Sequence, residues 1–247
     1  MSERLRYKKS PITEAVIDIR LSPLSGRTPE SLLGVSELIA DTYTNRKDVQ
    51  RVTGKFTIGA TPTQEHTLLG YSYQSKDEKY VLQTRIDGFT FSRLQPYEHW
   101  EPFREEAYRL WCIFLKFAGS IHCLRAAVRY VNKIDLPIPA DLELYFRTFP
   151  QISSDMPQMM SGYVMQLLIP QPEFGGMLSL IQASLPASSP NSASISLDID
   201  LFKESQTDFD TDGKIWAFLD SLREKRDHVF ESCITDRSRS LFEPIGT

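Results

Sequence analysis

One order of elements runs twice along this chain, and the repetition limits its fold more than any single motif. A strand, a short helix opened by proline, several strands and a long amphipathic helix span residues 12–118. The same order, written more weakly, spans residues 124–233. The first strand alternates: Ala15, Ile17, Ile19 and Leu21 point one way, Glu14, Asp18 and Arg20 the other, as a half-buried strand requires. Thr28-Pro29 reads as an N-cap and first helical residue, opening a helix to about Tyr43. Strands are expected at 55–60, 66–73, 80–86 and 89–94. Asp87-Gly88 marks a hairpin, because a type I′ turn needs positive φ at both central residues. A long helix follows, with Phe103, Ala107, Leu110, Trp111, Phe114, Phe117 and Ala118 along one side and Gly119 just past its end.

The second half opens with an alternating strand, Leu124–Leu136, broken by Pro137 and Pro139. A short helix from Pro139 to about Phe146 and a loop over 149–161 precede strands at 163–169, 177–185 and 192–202. The last helix carries Ile215, Leu219, Leu222, Val229, Phe230 and Cys233 on one side. Shifting the first long helix by 112 positions lays Phe103, Ala107 and Leu110 on Ile215, Leu219 and Leu222, while Trp111 and Phe114 meet Arg223 and Arg226. Two lobes follow, 1–119 and 120–247, sharing one sheet as a single unit. The expected class is α+β: a curved antiparallel sheet backed by long helices, built on a duplicated β-α-β(3–4)-α unit. That pattern resembles the TATA-binding-protein-like and helix-grip arrangements, a likeness of fold that licenses no function.

Composition excludes more than it selects. With 41% hydrophobic and 24% charged residues the chain matches an ordinary soluble protein. A net charge of −4 supplies no general attraction to nucleic acid or anionic membrane. The basic start, Arg4, Arg6, Lys8 and Lys9, reads as a solvated terminus. No apolar run reaches the roughly 18 residues of a membrane span, and no apolar signal segment opens the sequence, so a cytoplasmic protein is expected. Cys112, Cys123 and Cys233 are odd in number and sit in apolar contexts, as buried free thiols do.

Chemistry is sparsely marked. His66, His99, His122 and His228 are scattered, so neither a metal nor another cofactor is expected. His122 and Cys123 are adjacent on a strand and therefore point to opposite faces. The acidic loop 208–213 could hold a cation through Asp210 and Asp212, but it lacks a full calcium loop and reads as solvated. The most suggestive surface is one side of the strand Leu124–Leu136, where Arg125, Arg129 and Lys133 share a face whose successive positions step roughly 6–7 Å, with Ala127 and Val131 between them. Such a row can track phosphates or acidic side chains. It can also be neutralised by Glu14 and Asp18, should the two first strands be neighbours. Arg85 and Arg93, beside Phe89 and Phe91, extend the candidate surface. Arginines among aromatics suit single-stranded nucleic acid, and equally an ordinary strand with one buried face.

Three stretches, Pro11-Ile12-Thr13-Glu14-Ala15, Arg129-Tyr130-Val131-Asn132-Lys133-Ile134 and residues His228 to Asp236, together resemble an uncharacterised, sporadically distributed family of bacterial proteins of similar length. The resemblance implies accessory genes, such as phage-defence or toxin–antitoxin loci, and brings no catalytic residues. Asn132 is expected to cap or fix a strand end, and Thr235-Asp236 to cap a last turn before Leu241 and Phe242. The leading expectation is a non-catalytic binding protein that recognises a macromolecular partner, a protein first. Nucleic-acid or nucleotide binding through the basic strand face, with or without hydrolysis, is the alternative. A small ligand held between sheet and helix is a third reading. A homodimer is compatible with all three.

Overall fold

The computed structural model describes residues 6–55 and 63–245. The strands are β1 (Arg6–Tyr7), β2 (Ile12–Leu21), β3 (Tyr43–Lys55), β4 (Thr63–Ser75), β5 (Tyr80–Arg85), β6 (Gly88–Leu94), β7 (Cys123–Pro137), β8 (Val164–Gln171), β9 (Gly176–Leu185), β10 (Ser192–Glu204) and β11 (Pro244–Ile245). The helices are α1 (Gly34–Ile39), α2 (Trp100–Ala118), α3 (Leu142–Tyr145), α4 (Asp212–Cys233) and α5 (Asp236–Leu241), with a 3₁₀ turn at Pro29–Leu33. Nine strands form one sheet in the order β3-β4-β5-β6-β2-β7-β10-β9-β8, and β1 pairs with β11 apart from it. Every pairing in the large sheet is antiparallel, which makes the class α+β.

The alternation read in the sequence sets which way each strand faces. Ala15, Ile17 and Ile19 on β2, Phe89 and Phe91 on β6, Val128 and Tyr130 on β7, and Leu197, Ile199 and Leu201 on β10 enter one continuous core. The long helices meet the sheet there. Phe103 of α2 stacks on Phe91, and Trp111 and Phe114 close on Phe89. Arg226 of α4 lies over the Tyr130 ring at 3.7 Å. The opposite face of the central strands carries polar rows.

Several expectations are corrected. The helix begun at Pro29 ends at Ile39, and Tyr43 already belongs to β3; Thr28 makes no side-chain cap. The strand expected over 55–60 lies outside the described residues beyond Lys55. The β5–β6 hairpin is present, but Arg85 pairs with Gly88, so the turn residues are Ile86 and Asp87. None of the residues 86–88 has positive φ, so this is not a type I′ turn. Gly88 is there for space: a Cβ would sit 2.8 Å from the Ile19 carbonyl oxygen. Gly119 does end α2 in the left-handed region, at φ 75°. Cys123 and Cys233 are buried, but Cys112 is exposed on α2. Thr235 caps α5 by accepting from the Ser238 amide. Asn132 lies not at a strand end but buried in the interior of β7, where Nδ2 donates to the Leu197 carbonyl at 2.9 Å. Among the described residues no helix is long and apolar enough to cross a membrane.

Candidate functional site

The polar face is assembled by register. One row across the sheet reads Gln83, Thr90, Asp18, Ala127 and Phe202, from β5 to β10. The next reads Arg85, Gly88, Arg20, Arg125 and Glu204, and on the other side lie Ser92, Val16, Arg129 and Asp200. Long side chains reach between rows and link six strands. Arg85 donates through Nε to Asp87 at 3.2 Å and through Nη1 to Thr90 at 2.9 Å. Thr90 donates to Asp18 Oδ1 at 2.7 Å. Asp18 Oδ2 accepts from Arg125 at 2.9 Å, and the second arm of Arg125 donates to Asp200 Oδ2 at 2.7 Å. Arg51, on the edge strand β3, closes the far end on Asp87 at 3.0 Å.

Of the residues expected to form a site, Arg125 is at the centre of this network. Its side chain is 7% exposed and its guanidinium lies 4.3 Å from the Phe202 ring centroid. Arg129 grips Asp198 with two bonds, of 2.8 and 2.5 Å, while its own side chain stays 48% exposed. Those bonds raise its already high pKa further. Lys133 is half-buried opposite Ser196 and, among the described residues, makes no ion pair. Arg85 belongs to the network. Arg93 does not: it pairs across the sheet with Ala15 and Tyr80, which places it on the helix-bearing face. There it lies 4.6 Å from the Tyr80 ring centroid, buried, with Nη1 lacking a hydrogen-bond partner. Tyr80 also lines a cleft of about 510 Å³ with Tyr43, Glu106 and Arg109. Phe89 and Phe91 are core residues and offer no stacking platform.

Neutralisation is therefore the rule on β7, and β2 is its neighbour as the pairing argument requires. Asp18 supplies part of the counter-charge, and β10 supplies the rest through Asp198 and Asp200. Asp198 and Asp200 share a face by sequence alternation, but their meeting with Arg125 and Arg129 depends on β10 lying beside β7. Thr90 and Arg51 carried no sequence signal of a role here. Five guanidiniums (Arg20, Arg51, Arg85, Arg125, Arg129) meet four carboxylates (Asp18, Asp87, Asp198, Asp200), so the surface is nearly neutral with fixed alternating charge. Asp200 is the strained member. Burial raises its pKa against the pull of Arg125 and Arg129, and its Oδ1 is buried without a partner.

The remaining candidates have local partners. Burial pushes the Cys123 thiol up to about 12, which keeps it protonated beside His122. Asp208 pairs with Lys203 and Asp210 with Lys214, while Asp212 accepts from the Trp111 indole. Among the described residues no three His, Cys, Asp or Glu side chains are grouped to hold a metal. No protein-family model matches this sequence, and no curated protein matches it.

Proposed function

We propose that this chain is a non-catalytic binding protein that recognises another protein through the polar face of its sheet, around Arg129 and Lys133. The observation that carries the reading is the interlocked network from Asp87 to Asp200. A polyanion laid on β7 would meet Asp18, Asp198 and Asp200 beside the arginines, and phosphate contacts gain affinity only where cations are free to displace counterions. A protein surface of mixed charge suits a fixed pattern of both signs, which steers encounter and register. Charge reversal at Arg129 and Lys133 together tests it in the full-length chain. A host protein recovered in stoichiometric amount with the wild type should be lost, with the circular-dichroism spectrum unchanged. An undiminished yield would reject the surface.

The fold reading that accompanies it is an ancestral duplication in a TATA-binding-protein-like curved sheet. In support, the strands run outward from the β2–β7 seam as β6, β5, β4, β3 on one side and β10, β9, β8 on the other. In each half the first strand thus lies beside the last. The bacterial accessory-gene setting implied by the sequence resemblance is compatible with a recognition role.

A second reading has one observation in its favour. On the helix-bearing face of the second half, Gln182 Oε1 and Tyr163 Oη are buried without partners. Orphan polar atoms of this kind are satisfied by water or a ligand. A small polar ligand between the sheet and α4 would raise the unfolding temperature of the wild type and not of Gln182→Leu.

A further inference from the structure

The two edges of the nine-stranded sheet are built differently. Edge strand β3 carries Arg46, Lys47, Asp48 and Arg51, the charges that keep an edge from pairing. Edge strand β8 reads Val-Met-Gln-Leu-Leu-Ile-Pro-Gln, with no charge in eight residues. On its polar-face side Val164 is 78% and Leu168 61% exposed. The three exposed methionines of the described residues, Met156, Met159 and Met160, lie in the segment leading into it.

Hydrogen-bond geometry says which peptide groups are unsatisfied. Ser184 donates its amide to the Tyr163 carbonyl at 3.0 Å, so odd-numbered residues of β8 turn their peptide groups toward β9. Val164, Gln166, Leu168 and Pro170 turn theirs outward. Pro170 has no amide hydrogen to lose, which is why it is tolerated there. We propose that this edge pairs antiparallel with β8 of a second copy of the chain, about a dyad through Gln166.

Only outward-facing residues can exchange both bonds, and of the registers this allows, the dyad at Gln166 is the one that sets the two exposed apolar residues opposite each other: Gln166 meets Gln166 of the second copy, and Val164 meets Leu168 in both directions. All of these positions retain their amide hydrogens. Pro170 then falls beyond the paired stretch, opposite Gly162. The same register brings Met160 beside Pro172 of the second copy, covering apolar surface that is exposed in the single chain. Charge does not stand in the way: each copy carries a net −4, but β8 holds no charged residue, so no like charges meet along this edge. The dyad stands perpendicular to the sheet, so the polar faces of both copies lie on the same side of one eighteen-stranded sheet. The pairing does not depend on what that face binds.

The test is the mass of the full-length chain in solution by sedimentation equilibrium at micromolar concentration. The wild type should weigh about twice the 28.3 kDa of one chain. Val164→Lys with Leu168→Lys places like charges opposite each other and should halve the mass. Val164→Glu with Leu168→Lys places opposite charges together in this register and should restore it in low salt. Val52→Lys, on the other edge, should change nothing. A monomeric wild type overturns the proposal, as does a dimer that survives the lysine pair. A glutamate–lysine variant that folds but stays monomeric overturns the register.

Discussion

Arg125 is held by two carboxylates in a site nearly closed to water, and that sets what its loss would do. Truncation to alanine takes from Asp200 its ion-pair partner and leaves Asp18 to Arg20 and Arg85 alone, and breaking a buried ion pair by removing one partner costs about 3–5 kcal/mol. Urea unfolding of Arg125→Ala should show that loss. Arg129→Ala leaves the buried Asp198 without its partner, although the arginine itself is half-exposed, and should lose less, about 2 kcal/mol, the cost of a buried acceptor left unpaired. Equal losses would mean that the network does not share charge as its distances imply. Asp200 gives a pH signature. Its folded pKa is raised by burial, so in the window above an ordinary aspartate pKa of about 3.9 the folded state binds more protons than the unfolded. Stability from this group is present at acid pH and declines as pH rises through the folded pKa. The difference in unfolding free energy between wild type and Asp200→Asn should therefore fall as pH is raised across that window and then level off. A difference that grew with pH would show that the ion pair with Arg125 outweighs burial.

At the scale of elements, strand approach is set by a few positions without side chains. Gly70 on β4 pairs with Arg85 of β5, next to the bulge between Val49 and Gln50. A Cβ there would lie 2.0 Å from the Thr84 carbonyl oxygen and 2.7 Å from Arg85 Cα, both backbone. Gly70→Ala should cost at least about 2 kcal/mol, because neither strand can move without breaking its ladder. Circular dichroism on thermal melting would read this, and a wild-type melting temperature would contradict the close approach. The elements most readable from sequence are those with one dry face: β2, β10 and α2 declare themselves by alternation or by an aromatic stripe. Edge strand β3 does not. Its Thr-Asn-Arg-Lys-Asp run has no apolar alternation, because charge guards an unpaired edge. The site was half visible for a related reason. Arg125, Arg129 and Lys133 share a face by counting twos along one strand. Across the β5–β6 turn, however, paired residue numbers sum to an odd value, so Arg85 and Arg93, alike in parity, face opposite ways. The counter-charges on β10 come from 75 and 69 residues away in sequence and depend on strand order, which periodicity does not encode.

For the whole molecule, the seam between the halves is the middle of the sheet rather than a linker. β2 pairs along its whole length with residues 123–132 of β7, and the core passes through both without interruption. The helices are tied across the same boundary: Arg104 to Asp220 at 3.0 Å, Arg223 to Glu101 at 2.6 Å, and the Trp111 indole to Asp212. Behind them, Tyr97 of the first half shares a 2.9 Å hydroxyl hydrogen bond with Tyr130 of the second. A fragment ending at Gly119 would thus bare the long edge of β2 and one flank of α2 together. An uncovered central strand is a template for association with other chains, and the severed helix flank would add exposed tryptophan. Residues 1–119 expressed alone should therefore be aggregated or oligomeric by light scattering. Co-expression with residues 120–247 should recover a soluble complex with the spectrum of the intact chain. A monomeric 1–119 fragment that unfolds cooperatively near the temperature of the full-length protein would show that each half closes its own core, and that the β2–β7 pairing joins two finished domains.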